Sequence, residues 1–277
     1  MTIRLGFMTS VTPKWDLSRI IEAAQSGGYT CIEPRIGWNH AAGIELALGK
    51  SERRDIKRQL DDAGMAISCL ALGAQFAKAT PAERAESVKL TVRSAELAAD
   101  LGAPLLRVFG GPLPPNSTMA SIRDAVAEAF GAAASKSAAF GVTPCLETHD
   151  AFSHPDDVEY VVTNCGESNV GVVWHAGHHL RLGVSVEEGY RTLAPWIRHC
   201  HTNGLPMPET MTEAEQVERT ATDANITAQV ARTLAEHGYH GAISWERLNG
   251  RGTDYIDPSP LLPQYAARLR EYLEPRL

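Results

Sequence analysis

The chain is predicted to fold as an α/β protein, a single (β/α)₈ TIM barrel over residues 1–277, and three observations predict it. Short apolar runs and amphipathic helical stretches alternate eight times along the sequence. The runs are rich in Val, Ile, Leu and Cys without strict apolar–polar alternation, the pattern of parallel strands buried on both faces. The length of 277 residues suits one barrel, a fold that typically needs about 250. Helix after strand, repeated, requires parallel strands joined by crossover helices. No G-x-G-x-x-G opens the first helix, so a dinucleotide-binding sheet gains no support.

Strands are expected at residues 3–8, 30–33, 66–71, 105–109, 143–147, 170–174, 197–201 and 242–245. Gly27-Gly28 stops the first helix before the second strand. Thr80-Pro81-Ala82-Glu83 is a capping box with Pro at the first helical position, opening an Ala-rich helix that Gly102 ends. Gly141 precedes the fifth strand, Ser185-Val186-Glu187-Glu188 is a second capping box, and Gly238 precedes the eighth strand. One connection is long: after His201 the next full helix is expected only from about Asp223, with a short helix near 212–218 between them. Loops of that length are uncommon unless they serve as lids or binding segments.

Composition narrows the partners. A hydrophobic fraction of 44% and a charged fraction of 21% are those of an ordinary soluble globular protein. The net charge of −7 argues against nucleic acid or an anionic membrane surface as the main partner. No apolar stretch is long enough to span a membrane, and the N-terminus does not read as a signal peptide. The five cysteines are odd in number and form no C-x-x-C pair, which indicates a reduced, cytoplasmic protein without a disulfide framework or a cysteine zinc site.

In such a barrel, reactive side chains stand at the C-terminal ends of the strands and in the loops just after them. Strand two ends at Glu33, and strand four carries Arg107. Strand five ends in Glu147 with His149 two residues on. Strand six is followed by His175, His178 and His179. Strand seven carries His199 and His201, and strand eight ends at Glu246. Six of the ten histidines therefore fall in three short segments, and four consecutive strands deliver a carboxylate or an imidazole to one rim. Carboxylates at the ends of buried strands are costly unless something binds them. Glutamate and neutral histidine together suit a divalent first-row metal ion, which would answer that cost for Glu147 and Glu246 at once.

Five motifs in this order resemble the xylose isomerase-like barrel superfamily, the sugar isomerase and epimerase group that includes tagatose and psicose epimerases and hydroxypyruvate isomerase. They are Gly28-Tyr29-Thr30-Cys31-Ile32-Glu33, Leu146-Glu147-Thr148-His149, the strand-six run from Val172 to His178, His199-Cys200-His201, and the run from Gly238 to Glu246. The resemblance implies one divalent ion held by Glu147, His175, His201 and Glu246. It departs at His175, where the superfamily usually has Asp. Imidazole can still ligate, but one negative charge is gone, which favours Mn, Co or Zn over Mg. Loss of the ion, or recruitment of His178 or His149, are the other outcomes this departure leaves open.

The resemblance further implies paired glutamates, Glu147 and Glu246, moving a proton through an enediolate of a small carbohydrate substrate, a ketose or hydroxy-ketone. His178 is expected to orient a substrate hydroxyl. His149, Glu33 and Arg107 are candidates for substrate contact, with an ion pair to Arg35 or Arg107 as the other reading of Glu33. His179 and His199 are read as structural. The alternatives are a metal-dependent dehydratase or lyase acting on a keto-cyclitol or dehydroshikimate-like ring, and a metal-free binding paralogue. No phosphate-binding loop is evident, which points to an unphosphorylated substrate, and a homodimer is compatible with the resemblance.

Overall fold

The structure is a computed structural model that describes residues 3–203, 213–250 and 255–274. Its strands are β1 (Arg4–Phe7), β2 (Cys31–Ile32), β3 (Ala66–Ile67), β4 (Leu70–Gln75), β5 (Leu105–Phe109), β6 (Thr143–Glu147), β7 (Gly171–Trp174), β8 (Ile197–Thr202) and β9 (Ala242–Trp245). Seven of them form one parallel sheet in the order β1-β9-β8-β7-β6-β5-β4, and β2 pairs with β3. First and last strands join in register, Arg4 opposite Ala242 and Phe7 opposite Trp245. β2 completes the ring against β1, because Thr30 N donates to Leu5 O and Glu33 N to Phe7 O. Among the described residues, closure leaves no unpaired strand edge.

The third stave differs from the expected 66–71. It is two segments: β3 pairs with β2 and β4 pairs with β5, with a break at Ser68 and Cys69. The stave changes partner at this point, so one continuous ladder cannot serve both neighbours. Ala71 continues the link to the second stave through a bridge to Arg35.

The crossover helices that follow the expected signals are α1 (Leu17–Gly27), α2 (Lys50–Asp62), α3 (Pro81–Leu101), α4 (Met119–Ala138), α5 (Pro155–Asn164), α6 (Ala176–Leu180), α7 (Val186–Leu193), α8 (Glu213–Glu236) and α9 (Leu261–Leu273). Thr80 and Ser185 cap α3 and α7 as capping boxes. Gly28 and Gly102 take the left-handed conformation (φ 72° and 78°) at which the chain leaves α1 and α3, a geometry that costs glycine nothing. α8 starts about ten residues earlier than expected and absorbs the short helix placed near 212–218. The rest of that long connection, 204–212, lies outside the described residues.

The space between helices and strands is filled by one apolar cluster that includes Phe7, Trp15, Phe130, Trp174 and Trp245. Phe7 and Trp15, aromatics at and beyond the end of the first stave, are thus core residues. All five cysteines are free and buried. Among the described residues no helix is long and apolar enough to cross a membrane.

Candidate active site

Strand register builds the site. Glu147 ends β6 opposite Phe109 of β5 and Val173 of β7. His201 of β8 lies opposite Ser244 of β9, and Thr202 opposite Trp245, after which Glu246 follows directly. His175 caps α6 immediately after β7. His199 and His201, two apart on one strand, face the same side.

His201 is the hub. Its Nδ1 lies 3.0 Å from Glu147 Oε1 and 3.1 Å from Glu246 Oε2. Its Nε2 lies 2.9 and 3.0 Å from the two carboxylate oxygens of Glu33. His199 Nε2 reaches the same carboxylate at 2.8 Å. Burial opposes a charge on the His201 ring, but Glu33, Glu246 and Glu147 outweigh it and raise its pKa well above the usual value. Glu33 is the mirror case. Burial would raise its pKa, yet His201 and His199, by charge and hydrogen bond, hold it far below the ordinary carboxylate range.

Glu33 is wholly buried and pairs with His199 and His201 rather than with Arg35 or Arg107. Arg107 is equally buried. Its Nε stands 3.4 Å from Glu147 Oε2, its Nη1 donates to Leu72 O, and its guanidinium lies 4.0 Å from the centre of the Phe109 ring. It braces Glu147 from within the barrel. Two residues were undervalued in the sequence. His199 is part of the buried network, a role its spacing from His201 signals. Arg35, with Nη1 3.8 Å from Glu246 Oε1 and its guanidinium over Trp38, is signalled only by its place just beyond strand two.

Above the hub lies a cavity of about 310 Å³, lined among the described residues by His149, His175, His178, Arg181, Glu246 and Arg247. That is within the size range of small-molecule sites. Glu246 is the carboxylate that reaches it, with 13% of its side chain exposed against 0% for Glu147. His178 sits between two other imidazoles, its ring centre 4.2 Å from that of His175 and 4.4 Å from that of His149. His149 pairs with Asp150 at 2.9 Å. His179 turns away and is structural, accepting from Trp174 Nε1 at 3.1 Å.

Burial pushes the His175 ring down to about 4 and the His178 ring down to about 3, so both are neutral near pH 7. In the unfolded chain both would titrate near 6.5. As pH falls below 6.5 the unfolded state takes up protons that the folded state refuses, and stability drops toward pH 4. His201 acts in the opposite sense: its contribution is complete below 6.5 and is lost as pH rises through its raised folded pKa. Metal-free protein is therefore expected to be most stable near pH 6.5. Thermal melts in chelator between about pH 4 and 8 check this. His178→Asn should flatten the acid limb, and an unchanged limb would count against the assignment.

One ligand atom from each of Glu147, His201 and Glu246 lies within 4.8 Å of the others, and the same holds for Glu33, His199 and His201. The first set fits a divalent cation. It opens to the cavity through Glu246, supplies two carboxylates and an imidazole, and includes Glu147 Oε2, which is buried without a hydrogen-bond partner. His175 stands beside this set, its Nε2 3.9 Å from Glu246 Oε2, and is not within it.

A family model described as a xylose isomerase-like TIM barrel matches residues 21–272. No curated protein sequence matches the chain significantly. The fold is similar to that of an L-ribulose 3-epimerase (TM-score 0.77, 16% identity, 98% of this chain and 95% of that one). It is also similar to a probable 3-DHS dehydratase, AsbF, from Bacillus anthracis (TM-score 0.73, 14% identity, 97% and 99%). The zinc-bound IOLI protein is a third likeness (TM-score 0.74, 15% identity, 98% and 96%).

Proposed function

Because the chain belongs to the xylose isomerase-like TIM barrel family, we propose that it is a cytoplasmic, divalent-metal-dependent isomerase or epimerase of a small ketose or hydroxy-ketone. The observation that carries the reading is the convergence of Glu147 and Glu246 on Nδ1 of His201, with Glu246 lining the cavity. Glu147, His201 and Glu246 would hold the ion, with His175 the nearest further donor. A bound divalent ion supplies Lewis acidity, which makes a C–H next to a carbonyl easier to deprotonate.

The chain's own groups do the rest. Glu246, the carboxylate that opens to the cavity, takes the proton from the carbon beside the carbonyl and leaves an enediolate. Glu147, fixed by Arg107 and His201, is the second carboxylate: in its protonated form it returns a proton to the substrate and gives the product, and Glu246 then loses the proton it took to solvent. Return to the same carbon on the opposite face is epimerisation; return to the neighbouring carbon is isomerisation. His178, neutral and at the cavity wall, accepts or donates a hydrogen bond to a substrate hydroxyl.

A dehydratase reading has one observation in its favour. Burial opposes protonation of His149, but the Asp150 carboxylate, 2.9 Å from its Nδ1, and the Glu147 charge raise its pKa. An imidazole in the cavity wall whose neighbours favour its protonated form can protonate a departing hydroxyl after the same deprotonation step.

Elemental analysis of the purified protein, followed by a ketose panel assayed for exchange of a substrate C–H with deuterated solvent, tests the proposal. About one equivalent of Mn, Co or Zn per chain and exchange on at least one ketose are expected. A protein that no ion loads would sink the metal reading and leave a binding paralogue. Loss of water from a keto-cyclitol, without ketose exchange, would select the dehydratase.

A further inference from the structure

We propose that Glu33, backed by His199, is a positioning residue that selects the tautomer of His201 and so aims its Nδ1 lone pair at the metal ion. The inference rests on the metal reading of the site given above.

His201 has carboxylates on both ring nitrogens: Glu33 on Nε2, Glu147 and Glu246 on Nδ1. An ionised carboxylate only accepts hydrogen bonds, so a nitrogen facing one must carry the hydrogen. When His201 is neutral, one of its two nitrogens must give the hydrogen up, and the surroundings decide which. Without Glu33, the ring is free to keep it on Nδ1, donating to Glu147 and Glu246 and withholding the lone pair from a cation. Glu33 prevents this. Its two oxygens straddle Nε2 at 2.9 and 3.0 Å, a double acceptor that fixes the hydrogen there and turns the lone pair of Nδ1 toward Glu147 and Glu246.

His199 completes the device. Its Nε2 donates to Glu33 at 2.8 Å, while its Nδ1 is buried without a partner. A carboxylate facing Nε2 only accepts, so His199 carries a hydrogen on Nε2. Glu33 then receives two N–H groups in a wholly buried position. The relay runs from β8 to the end of β2 and back to β8, across the interior of the closed barrel. Carboxylate partners behind ligating histidines commonly set ligand orientation, and their loss costs about 10–100-fold in metal affinity.

The test is the affinity of the full-length protein for Co²⁺, measured by chelator competition, with the visible spectrum of the bound ion as a second readout. Glu33→Gln keeps the shape but offers one acceptor and an NH₂ group where two acceptors stood. It is expected to weaken Co²⁺ binding at least about tenfold and to shift the spectrum. His199→Gln should produce a smaller loss in the same direction, and it carries the test if Glu33→Gln does not fold. Thermal melts in chelator separate this from a general loss of stability.

Wild-type protein that binds one ion, with both variants binding as tightly and with the same spectrum, overturns the inference while leaving the metal site standing. Wild-type protein that binds two ions, the second lost in His199→Gln, also overturns it, because Glu33, His199 and His201 would then be ligands themselves. If wild type binds no ion, the metal reading fails and takes this inference with it.

Discussion

Glu147→Gln is expected to lose the metal ion, turnover and several kcal/mol of stability together, whereas Glu246→Gln should lose the first two and keep most of the third. The difference lies in what each carboxylate leaves behind. Glu147 and Arg107 are both 0% exposed, and Arg107 Nε and Nη2 have no hydrogen-bond partner. Removing the Glu147 charge strands a cation in the interior, and breaking a buried pair on one side typically costs about 3–5 kcal/mol. A fall in Tm on the order of 10 °C follows for a domain of this size. Glu246 opens to the cavity, and its cationic neighbour Arg35 is also stacked on Trp38, 3.7 Å from the ring centre. Its loss strands nothing comparable. In both variants the amide can neither accept a proton nor balance a dication, so turnover should drop by about 10²–10⁴. Parallel melts in chelator check the stability half without any substrate. Equal Tm values for the two variants would show that Arg107 does not depend on Glu147.

The contrast was only half visible in the sequence. Strand-end carboxylates and imidazoles stand out because each apolar run stops at one, and the barrel rule then gathers them on one rim; Glu147, His201 and Glu246 follow from that alone. Partners supplied by closure do not. Glu33 and His199 are 166 residues apart, and their meeting needs the second and seventh staves to point into one interior, which no local pattern states. The nearest signals are the two-residue spacing of His199 and His201 and the strand-end position of Glu33. The break of the third stave at Ser68 and Cys69 was hidden for a related reason: it reflects a change of neighbours, whereas 66–71 reads as one apolar run. The early start of α8 is not legible because the sequence around Glu213 and Glu215 is polar and carries no apolar period.

His175→Asp is expected to change which ions the protein holds and how much they stabilise it. In the folded protein His175 is neutral, burial having pushed it down to about 4, and its Nε2 lies 3.9 Å from Glu246 Oε2. It brings a nitrogen donor to the edge of the site but no charge. Aspartate would bring a carboxylate to a region that already holds Glu33, Glu147 and Glu246 around a single imidazole. Without metal the added negative charge repels Glu246 and should lower Tm; with metal the same charge attracts the ion. Hard Mg²⁺ gains most from an added oxygen ligand, whereas Zn²⁺ and Co²⁺ lose an imidazole that suits them. A ligand at 100 times its Kd stabilises the folded state by about 2.7 kcal/mol, so the gap between melts in chelator and in Mg²⁺ reads the affinity directly. Wild type should show a clear gap with Mn²⁺, Co²⁺ or Zn²⁺ and a small one with Mg²⁺. His175→Asp should open the Mg²⁺ gap while its chelator Tm falls. Were the order of ions unchanged, His175 would lie outside the coordination sphere, and the ion preference would have to come from Glu147, His201 and Glu246 alone.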